Sequence, residues 1–417
     1  MSSFLGALTD WTLLRVPKFR VVFNFRRDEK FAFLVHPRTD EFVREDVYGE
    51  NDIYRPYPAF RWLFKFLPEH TAIRIISWYA QNVVPITLSR ISLTRPDGKK
   101  IYGSLLSTVR TPRMLTGPGK SQTRIRHLQD LYDLAAARGA KRIGLGALLP
   151  SMTGYGKKLI PGPGYPARST GHAYTGYMIF EYLRSLVVNR EYPGSIVRVA
   201  IVGAAGSTGT ATLRVLKRLW PKFFRIELYL VDLPSKKKDL EERAAEMATL
   251  GVVYTAFDHA VLRECEYIIV VTNGENARLK SEYVSPGTVI IDDSQPRNTE
   301  KELLDTGCYV VDVLARVPGL NCNFDFGFQT NDPTVTFTCL AETVIAAALG
   351  IEGDLALGAV NDLTIQKIIQ MAQQADELGL VGQLPLFSFG RELSKSERRE
   401  LLSRQRKLAY TSRPAAE

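Results

Sequence analysis

The chain has 417 residues, 45% hydrophobic and 24% charged, a balance that excludes a disordered polymer and, at this length, favours two domains over one core. Its 54 Lys and Arg against 44 Asp and Glu leave a formal charge of +10, which suits nucleic acid, an anionic membrane, or an acidic carrier protein or phosphate-bearing substrate. The four cysteines, Cys265, Cys308, Cys322 and Cys339, form no CxxC pair, so neither a disulfide framework nor a zinc site is signalled. No signal peptide opens the chain and no uncharged run of about 18 apolar residues occurs. A cytoplasmic protein is expected.

Lys30 to Arg38 reads as a short buried strand ending in a turn. From Phe60 to Ile86, Trp62, Phe64, Phe66 and Trp78 interleave with Arg61, Lys65 and Arg74. That composition suits either a core-facing helix or an amphipathic segment in peripheral contact with a membrane. Ile91 to Val109 carries β-branched residues on both sides of Asp97-Gly98, a hairpin signal. Gln122 to Gly139 has helical spacing and a glycine stop. A strand is expected in RIGLGALLPS, and the proline- and glycine-rich stretch Gly154 to Arg168 reads as a linker or a lid. Thr170 to Val188 is a long apolar helix.

Between Val197 and Leu314 six strand-like runs alternate with helical spacers, the pattern of a parallel sheet covered on both faces. Val199 to Gly209 reads VAIVGAAGSTG. Gly203, Gly206 and Gly209 thus follow a strand and precede a helix, where backbone N–H groups can approach a dinucleotide pyrophosphate. Ala205, Ser207 and Thr208 complete that turn. Asp232, at the end of the next strand, suits a ribose hydroxyl, whereas Ser235 and Lys236, with Lys237 and Lys238, suit a 2′-phosphate. The lysine run weights the expectation toward NADPH, with NADH as the alternative. Thr272 and Asn273, ending a later strand, join the cofactor set. After Pro318 the pattern turns helical at Thr338 to Leu349 and Leu363 to Leu378, and the basic tail from Arg391 reads as a solvated helix or frayed end.

Cys339 falls at the start of a helix, where the macrodipole favours a thiolate, although such a cysteine is equally at home in a core. Glu342 suits a cap or a proton-positioning group, and His172 either faces a substrate carbonyl or satisfies a loop. Tyr174 and Tyr177 read as packing residues unless their helix lines a site.

Taken in order, the hairpin, GLGALLPS, STGHAYTGY, VAIVGAAGSTG, VIIDDSQPRN and TFTCLAE resemble the long-chain fatty acyl-acyl-carrier-protein reductases, which form aldehydes. The resemblance runs from about Ile91 to Gly390. It implies an acyl-enzyme thioester on Cys339, within a motif that also matches Ala341 and Glu342, followed by reduction with a nicotinamide cofactor. His172 and Tyr174, which join the candidate catalytic set, are a departure from the family, which has Asn and, two places on, His at that turn. Acyl carrier protein or acyl-CoA would be the partner; no nucleic-acid motif accompanies the charge.

The expected architecture is α/β and bilobal, with a Rossmann dinucleotide-binding domain inserted between the N- and C-terminal parts of a substrate lobe. The boundaries are 1–190 for the N-terminal lobe, 191–316 for the Rossmann domain, 317–390 for the C-terminal helices and 391–417 for the tail. Two other functions fit the same motifs: a noncovalent NAD(P)-dependent dehydrogenase of a small alcohol or keto acid, resembling the shikimate dehydrogenases, and a non-catalytic NAD(P)-sensing protein.

Overall fold

The computed structural model describes residues 29–36, six positions between 66 and 74, and 86–402 except 109, 111–114, 116–120, 189–195, 222–223, 273, 275–276, 296, 323, 325 and 327. The aromatic segment from Phe60, Asn273 and the tail after 402 therefore lie wholly or mostly outside the described residues. In chain order the principal elements are β1 (Glu29–Val35), β2 (Ile86–Thr94), β3 (Lys100–Ser107), α1 (Ser121–Ala137), β4 (Arg142–Leu145), β5 (Ala167–Ser169), α2 (His172–Val187), β6 (Ile196–Val202) and α3 (Ser207–Leu219). They continue with β7 (Arg225–Val231), α4 (Lys237–Met247), β8 (Gly251–Ala256), β9 (Tyr267–Val270), β10 (Val289–Asp292), β11 (Tyr309–Asp312), β12 (Leu320–Cys322), α5 (Thr338–Ala348) and α6 (Asp362–Glu377).

The chain divides into two compact units. The first comprises 1–171, 316–359 and 371–382; the second comprises 172–315, 360–370 and 383–417. The long segment 172–315 of the second thus lies between parts of the first, as the bilobal expectation had it, but the two units interleave again toward the C-terminus. The boundary differs from the expected one at residue 191, because α2 sorts with the second unit. Gly176 explains this: a Cβ there would lie 2.7 Å from the Thr212 backbone nitrogen, so the bare glycine lets α2 and α3 approach backbone to backbone. Residues 360–370 and 383 onward also join the second unit, although they follow the expected C-terminal boundary.

The first unit holds a six-stranded sheet in the order β12-β2-β3-β1-β4-β5. The Asp97-Gly98 turn joins β2 to β3 antiparallel as predicted, while β3, β1, β4 and β5 run parallel. Helix α1 packs its Leu128, Leu131, Tyr132 and Ala135 into a core with Ala32, Leu34, Ile143 and Leu145. Helix α5 lies against β1 and β4. The stretch from Gly154 to Arg168 is no free linker between units but is tied to the first unit's own framework. Arg168 Nη1 donates to the Gly156 and Leu159 carbonyls at 3.2 and 2.9 Å, and Gln129 Nε2 donates to the Ile160 carbonyl at 3.0 Å. Those bonds satisfy loop carbonyls from the unit's own framework.

The second unit holds a parallel sheet in the order β11-β10-β9-β6-β7-β8. With β6 as the first strand this is the doubly wound order 3-2-1-4-5-6 of a Rossmann fold. Strands β9 and β10 are buried throughout, which is why YIIV and VIID read as continuous apolar runs without alternation. Among the described residues, no helix is long and apolar enough to cross a membrane and no group of three or more His, Cys, Asp or Glu could hold a metal ion.

A Cβ on Gly144 would overlap Thr343 Oγ1 and lie 2.5 Å from Phe33 Cδ2, so the closeness of α5 to the sheet depends on this residue. Gly144→Val is expected to destabilise the protein by about 2 kcal/mol or more through overpacking. A fall of several degrees in the melting temperature checks this; an unchanged melting temperature would show that α5 can shift without loss.

Candidate functional site

The turn after β6 is built from its glycines. Gly203 has φ +92°, and its N–H and that of Ala204 donate to the Val231 carbonyl at 2.9 and 3.3 Å. This ties the turn to the end of β7. Gly206 caps α3 in an extended conformation. The N–H groups of Ser207, Thr208 and Gly209 fall in the first helical turn, where no preceding helix carbonyl can accept them, at the positive end of the macrodipole. A Cβ on Gly209 would come 2.8 Å from Ala204 Cα, and one on Gly203 would come 2.9 Å from Thr272 Cβ. Side chains at these positions would pry the turn away from the helix and from the end of β9.

Beside the turn, at the carboxyl ends of β6 to β9, lies a cavity of about 270 Å³ bounded by Gly203, Asp232, Phe257, His259 and Thr272. Asp232 accepts the Ala205 N–H at 2.9 Å and the Leu233 N–H at 2.8 Å, so its carboxylate is held where a ribose would arrive. The bare turn, unfilled first-turn donors and adjoining acid fit a dinucleotide. Ser235 sits exposed in the turn Pro234–Lys236. Lys236 and Lys237 lie 3.1 and 3.8 Å from Asp239 and Glu241 in exposed pairs, toward acids of their own segment. These pairs are exposed surface contacts, of the kind that contribute little.

The second cluster belongs to the first unit. Cys339, second residue of α5, is partly exposed. Gly171, with φ +76°, packs so closely on it that a Cβ would lie 2.7 Å from Cys339 Cα. Glu342, one helical turn further on and fully buried, accepts hydrogen bonds from Ser169 Oγ and, at 3.1 Å, from the Gly171 N–H. The carboxylate fixes the turn that lies over Cys339.

His172 and Tyr174 follow in the chain but sort with the second unit. His172 is buried, and burial depresses its pKa to about 4. The imidazole is therefore neutral at physiological pH and is not a ready proton donor. Tyr174 is fully buried and stacks on Tyr177 at 6.0 Å, in keeping with the packing reading.

A third cluster was missed by sequence reasoning. At the end of β10, Asp292 accepts from Ser294 Oγ and Thr299 Oγ1 at 2.5 Å. Arg297 bridges Asp292 and Asp312 at 3.2 and 2.8 Å while lying over the Phe389 ring. Burial raises the Asp292 pKa, opposed by Arg297 and the hydroxyls. Asp293 is pushed well above the usual carboxylate range by burial and by the Asp292 charge. Two consecutive acids closing an apolar strand were the available signal.

His172 also generates a pH prediction. Its pKa falls from 6.5 unfolded to about 4 folded, so between those values the unfolded chain binds the extra proton. Stability falls as pH drops from 6.5 toward 4, by up to about 3 kcal/mol for a shift of this size. His127, also lowered to about 4 by burial, Arg110 and Arg126, acts in the same direction. Urea unfolding of wild type and His172→Gln between pH 7 and 4.5 is expected to show the shallower decline in the variant; identical declines would place the imidazole in an environment that tolerates its charge.

No protein-family model matches the chain, and no curated protein matches it. Among solved structures, it is similar to quinate dehydrogenase from Corynebacterium glutamicum in complex with NAD, with 12% identity, coverage of 83% of this chain and 99% of that one, and a TM-score of 0.35. A putative malic enzyme gives 14% identity, coverage of 94% and 87%, and a TM-score of 0.38. Malate dehydrogenase from Naegleria fowleri gives 14% identity and a TM-score of 0.21; the match takes in 24% of this chain and only 39% of that one.

Proposed function

We propose that this protein is an NAD(P)-dependent oxidoreductase. The observation that carries the proposal is the β6-turn-α3 unit at the centre of a sheet ordered β11-β10-β9-β6-β7-β8, with Asp232 held at the end of β7. In this reading the N–H groups of Ser207 to Gly209 bind the pyrophosphate and Asp232 accepts from a ribose hydroxyl. The bound nicotinamide supplies or accepts two electrons as hydride. Because Asp232 would repel a 2′-phosphate, and the cavity's own cations Arg278 and Lys280 pair with Glu300 and Glu282, NAD(H) fits the pocket better than NADP(H). Asp232→Ser is expected to move the affinity ratio toward the phosphorylated cofactor by about tenfold, a change of about 1.4 kcal/mol, read by titrating both. An unchanged ratio would place the discrimination elsewhere.

Two substrate readings fit within this activity, and each has its own observation. The noncovalent dehydrogenase reading, for a small alcohol or keto acid, is favoured by Asp293. Burial and the Asp292 charge push the Asp293 carboxyl, at the carboxyl end of β10, above the usual carboxylate range, and a carboxyl shifted in that direction is suited to hold or release the proton that accompanies carbonyl reduction. The acyl thioester reading is favoured by Cys339, partly exposed in the first turn of α5 with Gly171 against its Cα. There the Cys339 sulfur forms a bond to the acyl carbon and the carrier thiol departs with a proton. Reduction then breaks the Cys339 thioester to release an aldehyde. An acidic carrier protein or acyl-CoA would be the partner, drawn by the basic surface.

Intact-mass measurement after incubation with a long-chain acyl-CoA, without reduced cofactor, separates the two. An acyl-sized gain on wild type but not on Cys339→Ser is the outcome of the covalent reading. No gain on either protein, with dehydrogenase turnover intact in Cys339→Ser, is the outcome of the noncovalent one.

A further inference from the structure

A second cavity, of about 610 Å³, opens within the first unit at the amino ends of β1, β4 and β5, where Lys30, Arg142 and Ala167 line it. Its walls are held in place by the framework. Tyr132 Oη donates to the Pro166 carbonyl at 2.8 Å, and the Tyr132 and Tyr165 rings meet edge to face at 5.1 Å. The charges are lopsided. Lys30, Lys141, Arg142 and Arg168 line the cavity against Glu352 and Asp354, and Asp354 is spent on Arg168, which it meets through both carboxylate oxygens at 3.3 and 2.6 Å.

Arg142 is the unusual member. It is only 2% exposed, and its Nη2 donates to the Ile351 and Gly353 carbonyls at 2.7 and 2.8 Å. Its Nε and Nη1 are buried with no hydrogen-bond partner among the described residues. Burial lowers the pKa of this guanidinium, opposed by Glu342 and Asp354. Holding the loop after α5 uses one arm of the fork only. Glu342 and Asp354 supply opposing charge, but leaving two buried guanidinium nitrogens without acceptors is still expensive, and a guanidinium fork matches the oxygens of a phosphate.

We propose that this cavity binds the phosphate group of a small organic phosphate, with Arg142 as the buried donor and exposed Lys141 as the outer cation. The volume argues for an organic body: a water molecule's share of liquid is about 30 Å³, so inorganic phosphate would leave most of the space unfilled. The two tyrosine rings with Pro161 and Pro166 supply flat apolar wall for that body. The site uses residues of the first unit alone and is independent of the dinucleotide turn and of either substrate reading.

The test is calorimetric titration of the full-length protein with inorganic phosphate and then phenyl phosphate, in a Thr208→Glu background whose added carboxylate excludes phosphate from the first turn of α3. Binding of phenyl phosphate at least about tenfold tighter than inorganic phosphate is expected. Lys141→Glu should weaken both by about tenfold or more at unchanged melting temperature, and Arg142→Lys should do the same by replacing the fork with a point charge. If Arg142→Lys fails to fold, Lys141→Glu decides alone. No heat from either probe, or affinity indifferent to Lys141→Glu, overturns the site. Equal affinity for the two probes overturns the organic body.

Discussion

A carboxylate with no access to water is tolerable only when hydrogen bonds replace its hydration, and Glu342 meets that demand with the Ser169 hydroxyl and the Gly171 N–H. Those bonds fix the chain where β5 ends, in a turn that only glycine makes cheaply at the φ of Gly171. The same turn lies over Cys339. One buried acid thus sets the position of α5, the exit of the first unit's sheet and the immediate surroundings of the partly exposed thiol. The carboxylate reaches across to another element of the unit.

The second unit is organised by a different constraint. A dinucleotide-binding turn must bring backbone close to a pyrophosphate, and that requires positions without side chains. Gly203 and Gly209 supply them by pressing against Thr272 and Ala204, while Asp232 clamps the turn through the Ala205 N–H. Further along the same sheet edge, Asp292, Arg297 and Asp312 lock the ends of β10 and β11 together. That lock also keeps the Asp292 charge beside Asp293, where it adds to burial in raising the Asp293 carboxyl above the usual range.

The basic excess of the chain has a local expression as well as a global one. In the first unit it collects around the cavity at the amino edge of the sheet, where Arg142 is buried with two of its three guanidinium nitrogens unused among the described residues. Elsewhere cations sit in exposed pairs such as Lys236 with Asp239, which contribute little to stability.

The sequence by itself determined the elements and much of their order. Apolar runs such as YIIV and VIID, too regular for one-sided strands, announced a parallel sheet buried on both faces, and Asp97-Gly98 announced the hairpin. The glycine spacing after β6 announced the turn because local backbone geometry demands those residues wherever such a turn is made. What depends on long-range packing was decided only by the tertiary structure. Helix α2 belongs with α3 because Gly176 meets the Thr212 backbone, a pairing that periodicity along one helix cannot display. The stretch after Gly154 looked free by composition, yet Gln129 and Arg168 tie it down. Glu342 is separated by more than 170 residues from the turn it holds, and Arg142 by more than 200 from the carbonyls it meets. Hydrogen-bonding partners at such separations are chosen by the folded chain, not by local propensity, and so no reading along the sequence could name them.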